Sequence, residues 1–272
     1  MCWGNFCYIP GPKKWDENAR AYMLGWLPTV GFFIGAIWAA IYSGLVAVQL
    51  PFMAVCVIAL WLPFILSGFI HVDGYMDVND ALMSRGSLEK KRAILKDSRC
   101  GTFAIVSLIF LLIIEFGFLS SAISYGIDIV NLVLITVISR SAAGLAVLNF
   151  TPMETSQYSA MKGIEKENSD SVNPDSAKSD DSKSKEETKN EKVATTKDAN
   201  VLLIVQLIIY LVIIGLLCTY YLVTMLVLAA TVLGTIIPIL LAKRQLQGMN
   251  GDIAGYGILW GEMIGMMALM FG

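Results

Sequence analysis

Apolar runs near or beyond about 18–20 residues recur along this chain, the length that crosses a hydrocarbon core of about 30 Å, and nothing else constrains its fold as strongly. Seven candidate spans result, at 21–42, 44–68, 102–124, 127–148, 201–219, 221–242 and 253–271. The 272 residues are 56% hydrophobic and 15% charged. A soluble domain carries about 25% charged residues. A β-barrel would show alternating segments of roughly 10 residues instead. The expected fold is all-α, a polytopic integral membrane bundle of about seven transmembrane helices forming one catalytic domain over 1–272. Its partner is the lipid bilayer. No nucleic-acid partner is expected, and a homo-oligomer is left open.

The first residues do not read as a cleavable signal peptide, because no basic region precedes an apolar one and Pro10-Gly11-Pro12 interrupts the stretch. The polar blocks 1–20, 69–101, 150–200 and 243–252 fall on one side of a seven-span bundle and carry 3, 6, 8 and 2 Lys and Arg residues. Arg140 lies within a span, and the opposite side has no basic residue. Basic loops stay cytoplasmic, so the polar face is expected in the cytoplasm of a multi-pass cell (inner) membrane protein. The five cysteines show no CxxC spacing and are expected as reduced thiols. Residues 162–199 are almost devoid of large apolar side chains and read as a disordered cytoplasmic loop insert.

The chemistry concentrates in "HVDGYMDVNDALMSR", residues 71–85. Asp73 and Asp77 are four residues apart, and Asp77 and Asp80 three, which places all three on one helix face. A hard cation such as Mg²⁺ would offset their repulsion, held by one or two carboxylates together with substrate phosphates. The plainer reading is a solvated helix start with acids near its positive end. The following "LEKKRAILKDSRCGT" sets Lys90, Lys91, Arg92, Lys96 and Arg99 beside Asp97, cations that suit a polyphosphate or simply follow the positive-inside pattern. Arg140 and Glu262 lie inside spans, each roughly 14–15 Å deep, and are expected to pair. Glu115 is a third intramembrane ionisable residue, expected to snorkel or pair. Asp252 is expected either to cap the last helix or to add a fourth acid to the metal site. Gly257, Gly261 and Gly265, with Gly31 and Gly35, read as small-residue stripes for close helix packing. Chemistry confined to one face argues for an enzyme rather than a transporter, which needs ionisable positions along a path to both faces.

The segments "GFIHVDGYMDVNDA", "ILKDSRCGT", "ISRS" and "KRQLQGMNGDIAG", with the "GE" of the last span and the "IPGPKKW" lead-in, resemble the cobalamin 5′-phosphate synthase family over about 1–150 and 240–272. His71, Asp73, Asp77 and Asp80 match its first signature, and Asp97, Ser98, Arg99 and Gly101 its second. Ser139 and Arg140 match the third, and Gly251, Asp252 and Glu262 the last. The resemblance implies a membrane enzyme that joins adenosylcobinamide-GDP to α-ribazole or its 5′-phosphate and releases GMP, with Mg²⁺ as cofactor. It implies Asp73, Asp77 and Asp80 as metal ligands, and Asp97 or Asp80 as base. It further implies Arg99 and Arg140 against diphosphate charge, and His71, Lys96, Ser98, Asp252 and Glu262 toward substrate. The chain departs from the family at Ala81 and Gln247, where glycine is usual, and at "TSQYSAMKG", where an Arg-Glu-Gly stretch is usual. Two other readings stay open. A CDP-alcohol phosphotransferase has a different acid spacing, and a divalent-cation transporter would need an acidic vestibule on the opposite face.

Overall fold

The structure, a computed structural model, describes residues 4, 6, 7, 20–97, 99–154, 156, 158 and 181–271. Among these there are ten α-helices and no strand. They are α1 (Arg20–Gly25), α2 (Leu27–Ala47), α3 (Phe52–Leu66), α4 (Ile70–Met83), α5 (Leu88–Ile94), α6 (Thr102–Tyr125), α7 (Val130–Asn149), α8 (Asp181–Leu217), α9 (Tyr221–Leu246) and α10 (Gly251–Ala268), and α10 ends in a 3₁₀ turn. Six helices are long and apolar enough to cross a membrane, and α3 with α4 makes a seventh span if that bent pair is counted as one. The chain is a multi-pass helical membrane protein. α7 is the central helix, flanked by α2, α8, α9 and α10, whereas most of the membrane length of α8 is exposed.

Three boundaries differ from the sequence reading, each for a local reason. The first span is broken at Trp26, because Pro28 has no N–H to continue the ladder from α1 into α2. The first turn between spans lies at 48–51 rather than near Ser43. Ser43 stays helical by donating to the Ala39 carbonyl at 2.8 Å, and the chain reverses where Gln49 adopts a left-handed conformation before Pro51. The second span is short. α3 has 15 residues, and consecutive left-handed residues Gly68 and Phe69 turn α4 by 88°. α8 begins at Asp181, within the 162–199 stretch read as a loop insert, since extending a nucleated helix through Lys- and Glu-rich sequence costs little. Residues 162–180 lie outside the described residues.

Between membrane helices the apolar tails of lipid compete equally for apolar surface, so close packing of small residues does the joining. Gly257, Gly261 and Gly265 present that stripe to α9. A side chain at Gly257 would come within 2.9 Å of the Thr235 carbonyl, and one at Gly261 would strike the Thr235 hydroxyl. Gly31 and Gly35 do the same against α7, where the Thr136 hydroxyl donates to the Gly31 carbonyl at 2.8 Å. Both stripes are architectural, as the sequence indicates. They leave α7 and α10 side by side, and that pairing positions the candidate site.

Candidate active site on the polar face

At one end of the bundle α4 lies across the first turns of α6 and α10. Its polar composition and its 88° turn keep it along that face rather than in a span. Gly74 permits the approach to α10, since a Cβ there would sit 2.9 Å from the Asp252 backbone. Gly255 packs likewise against the His71 backbone. Tyr75 stacks on Tyr256 with ring centroids 5.6 Å apart. Asp73, Asp77 and Asp80 thus share one side of α4 with Asp252 facing them from α10.

Asp80 carries a second link. Its carboxylate lies against Gly101, the N-cap of α6, so closely that any side chain at Gly101 would collide with it. A helix start favours an anion at that place. The glycine in "DSRCGT" is therefore the seat of an acid from the preceding motif.

The acids repel one another. Burial first, then Asp73, Asp252 and Asp80, push the Asp77 carboxyl up to about 6. No cation among the described residues pairs with them. The donor set is all carboxylate oxygen, which suits Mg²⁺. Among the described residues no three such groups converge into a ready-made cage. Magnesium, however, commonly takes only one or two carboxylates and completes its shell with water and substrate phosphate. The residues fit the ion on those terms.

The expected cap on the last helix is corrected. Asn250 is the N-cap, accepting from the Ile253 N–H at 2.9 Å, and its amide donates to Asp252 at 2.6 Å. Asp252 is therefore held in the first turn as a face acid. Sequence reasoning passed over Asn250, although Asn immediately before a helical run is a capping signal.

The basic cluster divides. Arg92 donates to the carbonyls of Leu246 and Gln247 at 3.1 and 2.9 Å, and Lys91 donates to Gln245 at 2.9 Å. These two cations close the C-terminus of α9, a favourable place for positive charge. Lys90 and Lys96 stay exposed. Arg99 grips Asp97 through Nη2 at 2.7 Å and Nε at 3.0 Å, with most of its own side chain in solvent. The Arg99 guanidinium holds the Asp97 carboxyl down to about 2. Asp97 is thus a poor proton acceptor as placed, which differs from the expectation of it as a base. Ser98 lies outside the described residues.

Arg140 and Glu262 form the expected pair, fully buried between α7 and α10, with the Ser139 hydroxyl 3.2 Å from Arg140 Nη1 and 3.4 Å from Glu262. The arginine expected to face diphosphate and the glutamate expected to face substrate instead face each other. Glu115 does not snorkel. It is completely buried in α6, some thirteen residues from that helix start, and neither oxygen has a hydrogen-bond partner among the described residues. At about 1.5 Å per residue, that depth is beyond the reach of its side chain.

A cavity of ≈ 290 Å³ opens beside the acids, between α1, α2, α4, α7 and α10. Leu24, Leu27, Ala143, Val147 and Ile258 supply apolar wall. His71, Asp73 and Asp252 supply its polar side, and Arg140 lies one helical turn below Ala143. Among the described residues the opposite end of the bundle offers no comparable chemistry. Asp128 there accepts from the Val130 and Thr219 backbone N–H groups at 3.1 and 3.0 Å and ties two loops together.

The cobalamin-5-phosphate synthase family model matches residues 1–172 and 180–270. A Clostridium perfringens (strain 13) adenosylcobinamide-GDP ribazoletransferase is 31% identical over 265 residues, covering 97% of this chain and 93% of the relative. One from Clostridium botulinum (strain Alaska E43) is 26% identical over 264 residues, covering 97% and 92%. One from Geobacillus kaustophilus is 31% identical over 130 residues, 47% of this chain and 50% of the relative. No solved structure matches the chain.

Proposed function

The chain belongs to the cobalamin-5-phosphate synthase family, and from that membership we propose that it is an adenosylcobinamide-GDP ribazoletransferase. It transfers the adenosylcobinamide phosphate moiety to a ribose hydroxyl of α-ribazole or its 5′-phosphate. The new P–O bond forms as the bond to GMP breaks. The observation that carries this reading is the meeting of Asp73, Asp77, Asp80 and Asp252 beside a cavity large enough for a small-molecule acceptor.

Phosphoryl transfer needs positioning and charge neutralisation more than covalent catalysis. Asp73, Asp77 and Asp80 are the residues that would hold Mg²⁺, with Asp252 near them. Bound there, the ion supplies positive charge to the diphosphate oxygens. Lys96 is exposed, and Arg99 is exposed while it grips Asp97; both supply positive charge next to the acids for the departing GMP. Asp252 lines the cavity and stands outside the proposed metal set, so it takes the proton of the attacking hydroxyl. Asp80, seated on Gly101 and counted among the metal's holders, and Asp97, clamped by Arg99, are not left for that role. The Arg140–Glu262 pair holds α7 to α10 under the cavity and is a positioning element. The polar face is cytoplasmic by the distribution of basic residues, and the membrane is the cell (inner) membrane.

The test uses purified protein in detergent or liposomes with adenosylcobinamide-GDP, α-ribazole and Mg²⁺, following GMP and the cobamide product by chromatography. EDTA should abolish product. Product formation indifferent to EDTA would remove the metal from the account, and absence of product with both acceptors would remove the activity.

A further inference from the structure

We infer that the cavity between α1, α2, α4, α7 and α10 seats the heterocyclic base of the acceptor nucleoside, and that His71 Nε2 hydrogen-bonds to its free ring nitrogen. The inference rests on the transferase reading above and assigns one of that reaction's two substrates to a place.

His71 is 5% exposed, lines the cavity, and its Nε2 has no hydrogen-bond partner among the described residues. A buried polar atom left unpaired is costly, so this nitrogen, alone among the described lining residues in being buried without a partner, asks for a polar ligand atom. Apart from His71 and the two acids the lining is mainly apolar, with Leu24, Leu27, Ala143 and Val147 and the rings of Phe6 and Tyr158. No basic side chain among the described residues lines it. A phosphate is therefore a poor occupant, placed between Asp73 and Asp252 with no cation. A flat, apolar-bodied heterocycle with a single accepting ring nitrogen matches the lining, and the benzimidazole of a ribazole is such a ring. The volume of ≈ 290 Å³ is near the roughly 300 Å³ at the lower end for small-molecule sites. With the base in the aliphatic part, the ribose lies at Asp73 and Asp252, next to the acids proposed to act on phosphorus.

The experiment compares two acceptors that differ in one atom: dimethylbenzimidazole riboside, and the dimethylindole riboside in which the free ring nitrogen is replaced by CH. With wild-type protein, kcat/KM for the indole should be about tenfold lower, the worth of one hydrogen bond. His71→Phe should erase that difference, and His71→Gln, whose amide reaches a similar place, should restore part of it. Ala143→Phe should raise the acceptor KM at least tenfold and leave the KM for adenosylcobinamide-GDP unchanged. Equal use of the two ribosides by the wild type would overturn the inference while leaving the transferase reading intact. So would an unchanged acceptor KM in a folded Ala143→Phe protein. No product from either riboside or from the ribazole phosphate would bring down both. The wild-type comparison decides the matter even where a variant fails to fold.

Discussion

Asp77 stands at the centre of four carboxylates, and its proton affinity reports their crowding. Because burial and three acidic neighbours raise it to about 6, the metal-free folded state binds a proton there more tightly than the unfolded chain does. Stability from this group therefore grows as pH falls from 7 toward 5. Metal-free wild type should gain more in Tm between pH 7 and pH 5 than Asp77→Asn, which lacks the titration. Equal gains would mean the acids do not sense one another. Gly101 gives a second prediction at this scale. Gly101→Ala drives a methyl into the Asp80 carboxylate and should cost most of the transfer activity with the fold retained, whereas Ser107→Ala nearby should not. The sequence made the acids legible because their spacing of three and four is a helix period. Their partners were not legible, since the contact of Asp80 with Gly101 and the facing of Asp252 onto α4 join residues far apart in the chain.

Among elements, the broken helix does most to build the site. Had α3 continued straight, the aspartates would have pointed away from α10. The turn at Gly68 and Phe69 brings them onto it. Apolar runs show span lengths well, but a left-handed pair at the end of a run carries a weak signal when only one member is glycine. The second span read too long at its other end, because the boundary placed near Ser43 lies at 48–51. The α7–α10 junction offers a stability test. Removing one partner of a buried ion pair typically costs roughly 3–5 kcal/mol, because it strands the other charge. Glu262→Leu should therefore destabilise strongly, and Arg140→Met with Glu262→Leu should recover most of the loss in thermal unfolding. If the double variant folds and retains measurable transfer, the pair positions helices. If it folds and is inactive, Arg140 meets the substrate directly, and the assignment above fails. The sequence showed this pair because an ionisable residue inside an apolar run demands a partner.

At the scale of the whole molecule, chemistry sits at one end of the bundle and loop-tying at the other. The bundle's span count, its glycine seams and the sidedness of its charge all followed from hydropathy and spacing, whereas the cavity depends on five helices meeting and no single stretch encodes it. The sidedness predicts a labelling pattern. Cys100 is exposed on the polar face, so in a Cys2→Ser background an impermeant thiol reagent should label it in inverted vesicles and not in intact cells. Labelling from outside would reverse the topology. The most direct test of the central claim is the transfer assay run side by side on wild type and Asp77→Asn, both reconstituted in liposomes and matched for folded protein. The account predicts chelator-sensitive GMP release and cobamide product from the wild type, and at least a hundredfold less, about 2.7 kcal/mol of transition-state stabilisation, from the variant. Equal rates from the two proteins would contradict it.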